Sequence, residues 1–242
     1  MKWILIVQVV LIASCKHEKP LITKHGTTII FATGSDGIVM AADSRTSVID
    51  MRIDSNKILP YYDSCQKVFI LNGYLFAASG LLQFGDKYMS DIVNDFNSIG
   101  GIDQLDCPNT LGAFVSFMDK FYPLSLHPDA KKNAYFCVGY VNDSAYLIGK
   151  SAVNHSFSAW DSCGSNSIGS DSMFLKVYKR YDCNKLAVLA EQTIIDYYTK
   201  LKKTGTGGPI TVAKISKDNK VTFIKNDFSK KPKGEVNPHY PD

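Results

Sequence analysis

Five stretches of this sequence bring together side chains able to do chemistry. Lys24-His25-Gly26-Thr27-Thr28 opens a β-branched run, and Ala42-Asp43-Ser44-Arg45 follows, with Asp43 16 and Arg45 18 residues after Thr27. Gln66-Lys67-Val68-Phe69 comes next, and Ser167-Ile168-Gly169-Ser170 and Thr206-Gly207-Gly208 lie far downstream. A threonine hydroxyl is a poor nucleophile until a base takes its proton. An unperturbed α-amino group has a pKa of about 7.7–8.0, so roughly a fifth to a third of it is neutral near pH 7.4. Few side chains match that task so well. A Thr27 made N-terminal would therefore carry nucleophile and base on one residue. Taken singly, each stretch has a plain structural explanation: a strand, an edge lysine, a polar strand end, a turn. Their common order and spacing carry the chemical reading.

The elements that must hold these residues read coarsely as follows. Thr28–Ala32 and Ile38–Ala42 flank Gly34-Ser35-Asp36-Gly37, the pattern of a β-hairpin. Lys67–Leu71 and Tyr74–Ala78 flank Asn72-Gly73, a strong hairpin signal. Apolar residues at spacings of three and four predict helices over Asp86–Phe96 and Leu111–Phe121, the second capped by Thr110. Strands follow at Ala134–Tyr140 and Ala145–Ile148, then a helical pair at Ser172–Tyr181 and Lys185–Tyr198. Strands Ile210–Ile215 and Lys220–Ile224 close the chain. Stacked antiparallel sheets covered by helices on both outer faces satisfy this order, because each element must bury one face.

These residues resemble the start of a proteasome β subunit, of the N-terminal-nucleophile (Ntn) hydrolases. In that family a propeptide ends in Gly, the mature chain begins Thr-Thr, and Asp-Ser-Arg follows the second strand. The likeness covers residues 26 to 225 as a topology, and it is close only in the stretches quoted above. It implies an α+β fold, a four-layer αββα sandwich of the Ntn-hydrolase type. It also implies autocatalytic cleavage between Gly26 and Thr27, with catalytic Thr27, Asp43, Lys67 and Ser170. Lys67 would favour the neutral amine and stabilise the deprotonated hydroxyl, and Asp43 would orient Lys67. Ser170 would complete the hydrogen bonds around the amine. Gly26 allows the bent backbone that self-cleavage needs, and a backbone N–H at Gly80 would hold the oxyanion. The chain departs from the family in three places. Lys67 lies 24 positions after Asp43, longer than the family spacing, with the extra residues near Met51–Asp63 expected in a loop. Gly80 sits closer to Lys67 than the family glycine. The family aspartate expected to pair with Arg45 falls on Lys203, and Asp171 beside Ser170 is the expected substitute.

The first residues read as an address. Lys2 precedes an apolar run, Trp3 to Ala13, broken only by Gln8. It is too short for a bilayer, which takes about 20 residues, and suits a secretory signal. Leu11-Ile12-Ala13-Ser14-Cys15 resembles a bacterial lipobox, which makes Cys15 the expected lipidation site and membrane tether; ordinary signal cleavage after Cys15 is the other reading. Either way the expectation is export to a bacterial cell envelope or periplasm, lipid-anchored or secreted. The expected division is signal peptide 1–15, propeptide or linker 16–26, hydrolase domain 27–225 and flexible tail 226–242.

Composition agrees with one globular domain. The 242 residues are 45% hydrophobic and 21% charged, with 13 Tyr and 13 Phe, enough for one core. A net charge of +4 with scattered basic residues argues against nucleic acid as a partner. Beyond Cys15 the cysteines are Cys65, Cys107, Cys137, Cys163 and Cys183, without metal-type spacing, so no metal or cofactor is expected. Most are expected to pack as small apolar residues, and an oxidising compartment would allow one disulfide. The expected activity is a threonine-type peptidase acting on peptides or unfolded polypeptides, assembled by resemblance into a ring-like homo-oligomer. Two rivals stand beside it: an Ntn amidase acting on a small acyl amide, and a non-catalytic exported lipoprotein on the same scaffold.

Overall fold

The computed structural model describes residues 22–25, 28–50, 61–62, 65–153, 157–160, 173–177, 181–201 and 207–226. Its strands begin with β1 (Ile22–His25), β2 (Ile29–Thr33), β3 (Gly37–Ala42), β4 (Thr46–Asp50) and β5 (Tyr61–Tyr62). They continue with β6 (Val68–Leu71), β7 (Tyr74–Ser79), β8 (Gln83–Phe84) and β9 (Lys87–Tyr88). Helices α1 (Met89–Asn97) and α2 (Cys107–Phe121) precede β10 (Ala134–Val141), β11 (Ser144–Ser151), β12 (Phe157–Trp160) and β13 (Met173–Val177). Helix α3 (Cys183–Leu201) and strands β14 (Thr211–Ser216) and β15 (Val221–Lys225) complete the described chain.

Two five-stranded sheets dominate, ordered β13-β2-β3-β14-β15 and β12-β11-β10-β7-β6. Alternation along the strands sends side chains to opposite faces, and both faces are covered. In β2, Ile29 and Phe31 join the core between the sheets, while Ile30 and Ala32 join the core under α3. In β10, Phe136 and Val138 face the inter-sheet core, while Tyr135 and Cys137 face α1 and α2. Strands buried on both sides read as continuous apolar runs, which is why Ile29–Ala32 and Ile38–Ala42 show no polar alternation. Phe31 and Phe136 meet across the sheets at 5.8 Å between ring centroids. On the helix side, Phe114 of α2 stands edge-on to Phe76 at 4.8 Å and to Phe96 at 5.3 Å. On the other side Leu186, Ala187, Ala190 and Ile194 of α3 pack against Ile30, Val39 and Ala41. The order through the described molecule is thus two helices, sheet, sheet, helix.

Two of the tight hairpins, β6–β7 and β10–β11, follow from local chemistry. Asn72 and Gly73 take φ of 49° and 82°, and Asn142 and Asp143 take 48° and 61°, the positive values that match the twist of the flanking strands.

Four expectations need correction. Helix α1 starts at Met89, because Asp86 lies in the turn between the short strands β8 and β9. Asp106, and not Thr110, caps α2, its side chain accepting the Asn109 N–H at 2.9 Å; Thr110 is buried inside the helix. The helix expected over Ser172–Tyr181 is instead strand β13 at Met173–Val177. It pairs parallel with β2, Met173 opposite Ile29, so that sheet is mixed, not wholly antiparallel. A short apolar run such as Met173-Phe174-Leu175 suits strand or helix equally well, and the free edge of β2 decides. Finally, β1, β4 and β5 form a three-stranded sheet with Ile22 opposite Asp50 and His25 opposite Ser47. It takes in part of the segment expected as linker and part of the expected loop.

Candidate functional site

The site forms where β3 ends. Ala42, its last residue, lies opposite Ile29 of β2 and Thr211 of β14, so the next residue, Asp43, leaves the strand facing the starts of both neighbours. Its carboxylate is buried and fully engaged. Oδ1 accepts the Thr28 backbone N–H at 2.7 Å and the Lys67 ammonium at 2.9 Å, and Oδ2 accepts the Gly207 N–H at 3.0 Å. The Asp43 N–H returns a bond to the Thr28 carbonyl at 3.2 Å.

Lys67 reaches Asp43 from the other sheet, just ahead of β6. The side chains of both are wholly inaccessible to solvent. Its ammonium also donates to the Arg45 carbonyl. Two of its three N–H donors are thus accounted for among the described residues. Removing two charges from water is costly, and such a pair persists only where hydrogen bonds satisfy both partners. Three donors on the carboxylate and two acceptors for the ammonium meet that condition.

Residues 43–45 are locked to the 207 loop. The Gly207 carbonyl accepts the N–H groups of Ser44 at 3.2 Å and of Arg45 at 3.0 Å. Gly207 has a φ of 153°, and a Cβ there would stand 2.7 Å from Arg45 Cζ, so the guanidinium lies directly on the glycine backbone.

Gly80 sits at the same end of the second sheet. Ala78, two residues earlier, donates its N–H to the Lys67 carbonyl at 3.4 Å. Gly80 has a φ of 96°, and any Cβ would overlap Asn133 Oδ1. The next residue explains the turn: Asn133 Oδ1 accepts the Leu81 N–H at 2.6 Å, and Asn133 Nδ2 donates to the Leu81 carbonyl at 3.0 Å and to Tyr135 Oη at 3.3 Å.

The structure therefore gathers Asp43, Lys67 and the backbone of Arg45, with Gly80 just past the end of β7, the strand whose Ala78 bonds the Lys67 carbonyl. Thr27, Gly26, Ser170, Asp171, Lys203 and Cys15 lie outside the described residues. Sequence reasoning missed three partners: the Thr28 and Gly207 amides on Asp43, and the Asn133 clamp on Leu81. A backbone amide leaves no signature in a sequence, and Asn133 reads there as one more polar residue ahead of a strand.

No family model matches this sequence, and no curated protein does either. Among solved structures the chain is similar to the Gly-1 mutant of Anbu from Hyphomicrobium sp. strain MC1. That similarity has a TM-score of 0.48 at 11% identity and covers 86% of this chain and 89% of that one. A likeness of that size fixes neither family nor activity. The fold itself is mixed α/β with largely antiparallel sheets.

Proposed function

We propose that this chain is an exported amide hydrolase of the proteasome β-subunit type, that its layers are those of the αββα Ntn sandwich, and that Thr27 becomes its nucleophile after self-cleavage at Gly26–Thr27. One observation carries the reading: a fully buried Lys67–Asp43 pair whose carboxylate holds the N–H of the residue immediately after Thr27. A buried ammonium so close to a new N-terminus favours the neutral amine, the form that can act as base. Two of the ammonium's N–H donors are taken up among the described residues, and the third is assigned to the threonine oxygen as the proton departs. The clamp on Leu81 and the positive φ of Gly80 support a backbone N–H there as oxyanion donor.

In this mechanism the Thr27 hydroxyl gives its proton to its own α-amine and attacks a carbonyl. The acyl group passes to Thr27 as an ester, the amine product leaves with a proton, and water releases the acid. Ser170 and Asp171 belong to the proposal as a hydrogen-bond partner of the amine and as the counter-charge of Arg45. Peptides and unfolded chains are the proposed substrates, since outside the cytoplasm no ATP drives an unfoldase. A ring-like homo-oligomer and a tether at Cys15 are proposed with it.

The test is the intact mass of the native protein. A mature chain beginning at Thr27, lost in Thr27→Ala, together with hydrolysis of fluorogenic peptides, is the expected result. A chain that keeps its leader, with wild-type and Thr27→Ala alike, would overturn the reading.

A further inference from the structure

We propose that Cys107 and Cys137 are a disulfide-forming pair, joined when the chain folds in the presence of an external disulfide oxidant. The bond would pin the first turn of α2 to the sheet beneath it. This inference is independent of Thr27 and its chemistry.

The two thiols come from distant parts of the sequence and meet in the core. Cys107 is the first residue of α2, placed there by the Asp106 cap. Cys137 lies mid-strand in β10, opposite Phe76 of β7 and Ile148 of β11, on the face turned to the helices. Their Sγ atoms stand 3.3 Å apart, and neither residue is exposed to solvent. A disulfide of about 2.05 Å needs the two sulfurs to approach by about 1.2 Å in all, roughly 0.6 Å each. Apolar packing alone would bring together any two small side chains. Two cysteines meeting sulfur to sulfur, at the one point where α2 begins its run over the sheet, is a more particular arrangement.

The chemistry balances as thiol–disulfide exchange. One cysteine thiolate attacks a sulfur of the external disulfide, forming a mixed disulfide and releasing the first external thiolate. The second cysteine thiolate attacks the protein-side sulfur and releases the second. The protein loses two protons and two electrons, and the oxidant becomes two thiols. Burial pushes the Cys137 thiol well above its ordinary range, Cys107 beside it acting in the same direction, so exchange in the closed fold is slow. The bond is expected to form before α2 docks, and once formed to be shielded from reductant by the same burial.

The experiment uses the full chain, unfolded and reduced, then refolded with oxidised and reduced glutathione, alkylated and mapped by mass spectrometry without reduction. A linked peptide pair containing Cys107 and Cys137 is expected. The two residues are 30 positions apart, and closing a loop of that length should raise the melting temperature by about 10 °C over the reduced protein. That difference should vanish in Cys107→Ala/Cys137→Ala. If both cysteines are recovered alkylated, or are linked instead to Cys65, Cys163 or Cys183, the proposal falls. The mapping needs only the wild-type chain, so it decides the matter even if the double variant does not fold.

Discussion

Replacing Lys67 by Met removes the buried cation while keeping an unbranched side chain only one atom shorter. Among the described residues Asp43 is then left with the Thr28 and Gly207 N–H groups alone. Breaking a buried pair by deleting one partner costs about 3–5 kcal/mol. For a domain of this size 1 kcal/mol moves the melting temperature by about 2–4 °C, so a fall of roughly 6–20 °C is expected. Asp43→Asn strands the ammonium instead and should cost a similar amount. The double variant strands neither charge. Its cost should be about 2 kcal/mol, from backbone hydrogen bonds to Asp43 that the amide reproduces only in part. The cycle thus predicts strong non-additivity, the pair of changes costing far less than their sum. Circular-dichroism melts of the four proteins at one pH supply the numbers. Strict additivity, or a Lys67→Met melt within about 2 °C of wild type, would refute the view that this ion pair ties the two sheets together.

Two further outcomes follow from the same structure. Asn133→Ala strips the Leu81 N–H and carbonyl of their buried partners, at about 1–3 kcal/mol for each group left unsatisfied. On the proposed mechanism it should also lower kcat more than it changes KM, as peptide kinetics would show. His127 packs edge-on to Phe84 at 5.2 Å, and this burial lowers its pKa from the ordinary 6.5. The unfolded chain therefore takes up that proton first, so the stability linked to His127 is present above about pH 6.5 and is lost as pH falls through the lower folded value. Denaturant melts between pH 5 and 8 should show the wild type losing stability toward the acid end by more than His127→Phe does; a pH profile unchanged by the substitution would count against it.

Much of the scaffold was legible in the residues alone. The Asn72-Gly73 hairpin, the double-faced apolar strands and the three- and four-residue spacing of α1 and α2 depend on neighbours a few positions away, and local propensity decides them. The alignment of Asp43 with Lys67 could be expected only by resemblance, because nothing local joins residues 24 positions apart across two sheets. What the tertiary structure decided was non-local throughout. Met173–Val177 became a strand because β2 had an edge to offer, Ile22–His25 found β4, and Asp43 received the Gly207 amide from 164 positions away. Backbone groups are the same at every residue, so a sequence states which side chains are available but not which amide will face them; only the folded path of the chain does that.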